Sequence, residues 1–251
     1  MARHPDMIGP DAMIHPFSRV QAQIDAFFPP QTHPYRVFER AVESCLAPDV
    51  IALEIGCGRT APMLVRFKGR AARLIGIDLV PFTIADEEIE LCNLSLTDMH
   101  MIADGSIDLA WSRAVMEHVR DTRRAFSEIA RILAPGGRYV FLTPNLWDYG
   151  SLIAAITPNR LHPRIVKATE GRAEEDTFPT HFAANTKGRI RRLAQEHGLE
   201  VERLDYLNQY PNYLKFSRPL FYLGSLYALL IDRTPALRFL SGWLLASIRK
   251  P

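Results

Sequence analysis

Residues 52–60 read ALEIGCGRT, a short apolar run holding one acid, Glu54, and ending in two glycines, Gly56 and Gly58, one residue apart. Glycines so placed let the backbone turn tightly and let a ligand approach without meeting a Cβ. Asp78 closes the next apolar run, RLIGIDLV, where a carboxylate can accept both hydroxyls of a ribose. Together these residues describe a holder for an adenosine-like nucleoside.

Such a turn works only if strands present it at one edge of a sheet. VIALEI, RLIGIDLV, EIELCNL, SIDLAWS and GRYVFLTPN are short buried-strand signals separated by helical or loop segments. Alternation of this kind predicts right-handed crossovers and a doubly wound, mainly parallel α/β sheet. Ligands then bind beyond the carboxyl ends of the strands, where the strand order reverses. PYRVFERAVESCLAP reads as a helix before the first strand, and TKGRIRRLAQEHGLEVERLDYL as a helix with Gly198 near its end followed by a sixth strand.

Two cofactor classes share a glycine turn and a ribose acid. Gly56, Gly58 and Ala61 also satisfy the dinucleotide fingerprint G-x-G-x-x-A. Glu54 separates the two, because a dinucleotide brings an anionic pyrophosphate to this turn and a nearby carboxylate repels it. S-adenosylmethionine has no phosphate and carries a cationic sulfonium and an ammonium. The other reading of Glu54 is a carboxylate that caps the next helix or pairs with Arg59.

VIALEIGCGRT, LIGIDLV, DGSIDLAWSRAVMEHV and EIARILAPGGRYVFLTPN resemble, in order and spacing, successive motifs of class I S-adenosylmethionine-dependent methyltransferases. They are most similar to the bacterial type 11 group, which includes quinone and small-molecule methyltransferases. The resemblance covers residues 35–145 and, more loosely, 181–206. It implies a Rossmann-like seven-stranded sheet of order 3-2-1-4-5-7-6 with the last strand antiparallel. It also gives Glu54, Gly56, Cys57 and Gly58 the methionine end of the cofactor, Asp78 the ribose and Leu79 the adenine. Where the family usually has an acid after the third strand, this chain has Asn93, with Leu94 next and Asp98 as the competing position. An Asn carbonyl can still accept from the adenine amine. Thr60 stands at the family's third glycine, and Ser112 where the methionine portion passes.

Methyl transfer needs alignment and exclusion of water more than a nucleophilic triad. A hydroxyl acceptor additionally wants a general base, and His118 and His181 are the histidines nearest the expected cleft. The plainer readings are a hydrogen bond at a helix start for His118 and a fixed exit from the insertion for His181. Glu117 reads as a first-turn helix acid, and Trp147 and Tyr149 as either pocket wall or core.

The chain of 251 residues, 47% hydrophobic and 23% charged, can bury a full core, and a net charge of +2 gives no reason to expect a nucleic-acid partner. Cys45, Cys57 and Cys92 have neither disulfide count nor zinc spacing, so no metal is expected and a reducing, cytoplasmic compartment fits. We divide the chain into an N-terminal arm or lid (1–34), a methyltransferase domain (35–212, with 146–180 inserted over the site) and an apolar, basic helical extension (213–251). PLFYLGSLYALLI is too short to span a bilayer. PALRFLSGWLLASIRK puts Leu237, Leu240, Leu244 and Ile248 on one helical face, widened by Phe239 and Trp243. From Tyr213 onward Lys215, Arg218, Arg233, Arg238, Arg249 and Lys250 face only Asp232. Such helices either lie on an anionic leaflet or pack on the sheet or a second subunit.

The expectation is therefore a methyltransferase using S-adenosyl-L-methionine on a small-molecule acceptor, lipid-linked or membrane-partitioned, with peripheral contact to the inner face of the membrane. The rivals are an NAD(P)-dependent oxidoreductase and a non-catalytic methyltransferase-like scaffold. Oligomeric state stays open.

Overall fold

The computed structural model describes residues 24, 27–156, 178–211, 214 and 217–251. Most of the arm at 1–34, residues 157–177 of the insertion, and Tyr213 and Lys215 lie outside the described residues. Helix α1 (Pro34–Glu43) leads into β1 (Ile51–Ile55), α2 (Pro62–Arg66), β2 (Arg73–Asp78), β3 (Ile89–Asn93) and β4 (Ile107–Arg113). Helix α3 (Thr122–Ile132), β5 (Leu133–Pro144), α4 (Tyr149–Ile156), α5 (Lys187–Glu196) and β6 (Glu200–Leu207) follow. The chain then forms α6 (Arg218–Arg233), a 3-10 helix (Pro235–Leu240) and β7 (Trp243–Arg249).

The seven strands make one sheet in the order β3-β2-β1-β4-β5-β7-β6. β1 to β5 pair parallel, and β7 runs antiparallel to both β5 and β6. Strand order reverses between β1 and β4, so their carboxyl ends open the crevice that such sheets use for ligands. The central strands are nearly continuous apolar runs because helices cover both faces. One layer joins Phe126 and Ile129 of α3 and Ile190 and Leu193 of α5 to the sheet. The opposite layer joins Phe38 and Val42 of α1 and Met63 and Leu64 of α2. Asp121 caps α3 by accepting from the Arg124 N–H, and Thr186 caps α5 by accepting from the Arg189 N–H.

The carboxyl-terminal part corrects the sequence reading. Trp243–Arg249 is a strand, not part of a helix, and it lies between β5 and β6. Leu244, Leu245, Ala246 and Ile248 are all buried, so both faces of the strand are covered. A short run that is apolar on both faces carries no period, and its helical spacing was coincidental. The domain boundary at 212 falls with it: the sheet is completed by residues up to Arg249, and α6 is an excursion between β6 and β7. The insertion is also not irregular at its start, since α4 begins at Tyr149.

Candidate active site

At the end of β1 the chain turns back on the end of β2, with the Gly56 and Cys57 N–H groups both donating to the Ile77 carbonyl (2.8 and 3.2 Å). Gly56 and Gly58 have φ of 73° and 75°, the left-handed region that glycine enters without strain. Their surroundings differ. A Cβ on Gly56 would run into Cγ2 of Val115, whereas a Cβ on Gly58 would meet no protein atom within 4 Å. Gly56 is needed for packing, and Gly58 leaves its space for something other than protein. Ala61, just beyond, is one of three non-glycine residues with positive φ among those described, with Ala114 after β4 and Phe182.

Asp78 at the end of β2 organises the same turn. One carboxylate oxygen accepts the Gly58 N–H at 2.7 Å and the other the Val80 N–H at 3.1 Å. Each oxygen keeps a further acceptor position, which is what a pair of ribose hydroxyls requires. Glu54 is 5% exposed, and its Oε2 is buried with no hydrogen-bond partner. Trp111 is its register neighbour on β4, and its buried indole N–H acts on the same carboxyl without a well-formed hydrogen bond. Burial pushes the Glu54 carboxyl from 4.5 up to about 8, against the pull of the Arg113 guanidinium. The Leu64 N–H in the first turn of α2 also bonds the carboxylate, so Glu54 does contribute to the start of that helix, and Arg113, not Arg59, is the guanidinium that acts on it. A buried carboxyl with one oxygen lacking a hydrogen-bond partner, beside a turn with open space, fits a cationic ligand. Burial likewise raises the neighbouring Cys57 thiol to about 12, so it contributes as a small apolar group.

On the adenine side, Leu79 is 63% exposed and offers an apolar surface at the carboxyl end of β2. Asn93 donates its amide hydrogens to the Asp78 and Val80 carbonyls, leaving its own carbonyl as the acceptor available to a ligand. Two expected residues are placed differently. The Leu94 side chain is buried in the core, so only its backbone borders the crevice. Ser112 is buried too, with its hydroxyl bonded to that of Tyr139 one strand away; it braces β4 on β5 instead of lining the methionine site. Asp98 takes part in an isolated bridge with Ser95 and a contact to His100.

Beyond β4 and β5 the structure assembles a polar cluster. Glu117 is 5% exposed, more than a first-turn helix acid requires, and accepts from the Thr143 hydroxyl at 3.1 Å. Asn185 donates to the same Thr143 oxygen at 2.7 Å and to the Pro144 carbonyl at 2.8 Å. The Asn185 Oδ1 is buried without a partner. The Glu117 carbonyl accepts the backbone N–H of His181 at 2.7 Å, which ties the returning chain to the short 3-10 turn Met116–His118. His118 Nδ1 lies 3.1 Å from the Pro179 carbonyl, and its Nε2 lies 3.9 Å from Glu117 Oε1. His118 and His181 are thus brought to one place around Glu117, with the His181 side chain exposed.

The other wall is one that motif reading missed. Arg113, the last residue of β4, stacks 4.7 Å from the ring of Tyr35, which packs edge-on against Trp243 at the start of β7. Glu39 of α1 faces Arg36, Arg66 and Arg113, so three guanidiniums share one carboxylate. Only the position of Arg113 directly after the SIDLAWS strand signal marked this in the sequence. Trp147 is 48% exposed, while Tyr149 packs edge-on against Tyr227 of α6.

Residues 53–141 match the family model of the methyltransferase domain. Over 142 residues the chain is 30% identical to a probable S-adenosylmethionine-dependent methyltransferase of Mycolicibacterium smegmatis, covering 53% of this chain and 52% of that one. It is 34% identical over 110 residues to an uncharacterised transposon protein of Streptomyces fradiae, covering 40% of this chain and 32% of that one. The chain thus matches between a third and about half of the length of these relatives. The crystal structure of an S-adenosylmethionine-dependent methyltransferase from Mesorhizobium loti superposes with a TM-score of 0.58 at 19% identity, over 86% of this chain and 98% of that one. The strand order, the glycine turn and these similarities agree: residues 53–141 are similar to the methyltransferase domain, and the fold is that of class I S-adenosylmethionine-dependent methyltransferases.

Proposed function

We propose that the protein transfers a methyl group from S-adenosyl-L-methionine to a small-molecule acceptor that is lipid-linked or membrane-partitioned. The observation that carries the donor assignment is the buried, unpartnered Glu54 Oε2 beside the glycine turn. When bound, the donor supplies a methyl group on a cationic sulfonium, so no residue need activate the carbon. Glu54, Gly56 and Gly58 hold the methionine end, Asp78 the ribose, and Leu79 and Asn93 the adenine. Cys57 and Leu94 border the site as packing.

His118 is the residue we assign to the acceptor's proton. If Nδ1 donates its hydrogen to the Pro179 carbonyl, the lone pair sits on Nε2, on the side of Glu117. An imidazolium formed there is stabilised by the carboxylate, as in other base–acid pairs. His181 is the second candidate base, anchored by its backbone on the same Glu117. Neither rival function has a specific observation in its favour, and a dinucleotide would set its pyrophosphate against Glu54.

Calorimetry with S-adenosylmethionine, S-adenosylhomocysteine and NADH tests the donor, and tighter binding of NADH overturns the reading. Methyl release to hydroxylated quinone precursors then tests the acceptor. His118→Gln should lower turnover about 100-fold while leaving donor affinity unchanged; unaltered turnover removes His118 from the chemistry.

A further inference from the structure

Helix α6 is apolar on every side. Phe221, Gly224, Ser225, Ala228 and Ile231 are buried on one face. The opposite face carries Leu223, Leu226 and Leu230, which are 65, 65 and 54% exposed. No charged residue occurs from Pro219 to Ile231. A helix with no polar face is stable only if a non-aqueous partner covers its outer side. Its charges gather at the ends: Arg218 opens it, Asp232 and Arg233 close it, and Arg238 follows in the 3-10 helix, all exposed. The three arginines exceed the single acid, so the border of the apolar face is cationic.

The exposed face continues onto neighbouring elements. Phe27 is 57% exposed and lines an apolar groove with Tyr222 and Leu226. The contact between Tyr149 and Tyr227, with ring centroids 5.8 Å apart, brings α4 alongside, where Leu152 and Ile153 are exposed. Trp147, 48% exposed, follows β5 at the same carboxyl edge of the sheet as the crevice. No helix of the described residues is long and apolar enough to cross a membrane. At about 1.5 Å per residue α6 is roughly 24 Å long, suited to lying in the plane of an interface.

We propose that this face docks flat on an anionic lipid surface, with Leu223, Leu226 and Leu230 in the acyl boundary and Arg218, Arg233 and Arg238 at the headgroups. The cationic border selects a negatively charged leaflet over a neutral one. Docking stands independently of catalysis. One consequence rests on the methyltransferase reading: an acceptor dissolved in the bilayer would meet the crevice at its Trp147 rim.

The test is flotation of the full chain with vesicles of phosphatidylcholine alone and of phosphatidylcholine mixed with phosphatidylglycerol. Three arginines near the surface correspond to roughly 100-fold tighter binding to the mixed vesicles, reduced by added salt. Leu226→Glu/Leu230→Glu should abolish association, and Arg233→Ala/Arg238→Ala should reduce the preference for anionic lipid by about tenfold or more. All four positions are exposed, and melting curves with donor calorimetry establish that the variants are folded. No association of the unmodified chain overturns the proposal. So does association that survives the leucine substitutions. A dimer in sedimentation velocity that those substitutions dissociate, without vesicle binding, assigns the face to a second copy and also overturns it. Loss of donor binding with vesicle binding intact counts against the function alone.

Discussion

If Glu54 holds the cationic end of the proposed donor, its protonation state should change on binding. Burial pushes its pKa up to about 8, so below that pH the carboxyl of the ligand-free protein is neutral, and a cationic ligand favours the ionised form. Binding of S-adenosylmethionine should therefore release a proton, and its affinity should fall by up to about tenfold for each pH unit below about 8. Calorimetry in buffers of different ionisation enthalpy measures that proton directly. Stability behaves in the opposite sense. A carboxyl whose folded value is raised stabilises the fold most below 4.5, where both states are protonated, and the contribution is lost as pH rises towards 8. Glu54→Gln should thus lose roughly 10-fold or more in donor affinity while its melting temperature falls less with rising pH than that of the unmodified chain. Gly56 and Gly58 separate in the same way. Both alanine substitutions carry a left-handed strain of about 1–2 kcal/mol. Gly56→Ala adds a collision with Val115 and should destabilise more, whereas Gly58→Ala should keep most of its stability and lose donor binding. Equal loss of binding and stability at both positions would mean that the open space beside Gly58 is not a ligand site. Asp78→Ala should cost about 2–3 kcal/mol of donor affinity and also loosen the turn, because the Gly58 and Val80 N–H groups lose their acceptor.

Among the elements, β1, β2, β4 and β5 were legible because interior parallel strands must be nearly continuous apolar runs, and β3, at the sheet's edge, because its apolar residues alternate with polar ones. The glycine turn and Asp78 were legible for the same reason, since they directly follow a strand. β7 was not, because WLLASIR is short and covered on both faces, so no period distinguishes it from a helix. Asn145 helps hold this strand in place, donating to the Phe239 and Ser241 carbonyls at 2.7 and 2.8 Å and accepting from the Trp147 N–H at 3.4 Å. Replacement of Leu245, which is fully buried on β7, by alanine should cost about 2–5 kcal/mol, read from denaturant unfolding. A surface helix at that position would predict almost no change. The Glu117, Thr143 and Asn185 cluster was equally hidden, since its three members lie on different elements and meet only when the sheet forms.

At the scale of the molecule, the carboxyl edge of the sheet gathers the glycine turn, the Glu117 cluster and the Arg113–Tyr35–Trp243 wall. Saturation of the donor site should stabilise the whole domain by mass action. At a ligand concentration about 100 times the dissociation constant this amounts to about 2.7 kcal/mol, or roughly 5–10 °C in melting temperature, and NADH should give no comparable shift.

The place of β7 has a consequence for synthesis. The ribosome delivers β5 and β6 well before the strand that joins them, with α6 emerging in between. Until residues 243–249 leave the exit tunnel, β5 presents an unpaired edge and the leucines of α6 have no folded domain beneath them. The nascent chain is therefore most vulnerable to wrong partners just before that strand emerges, which is the window in which a chaperone would be needed.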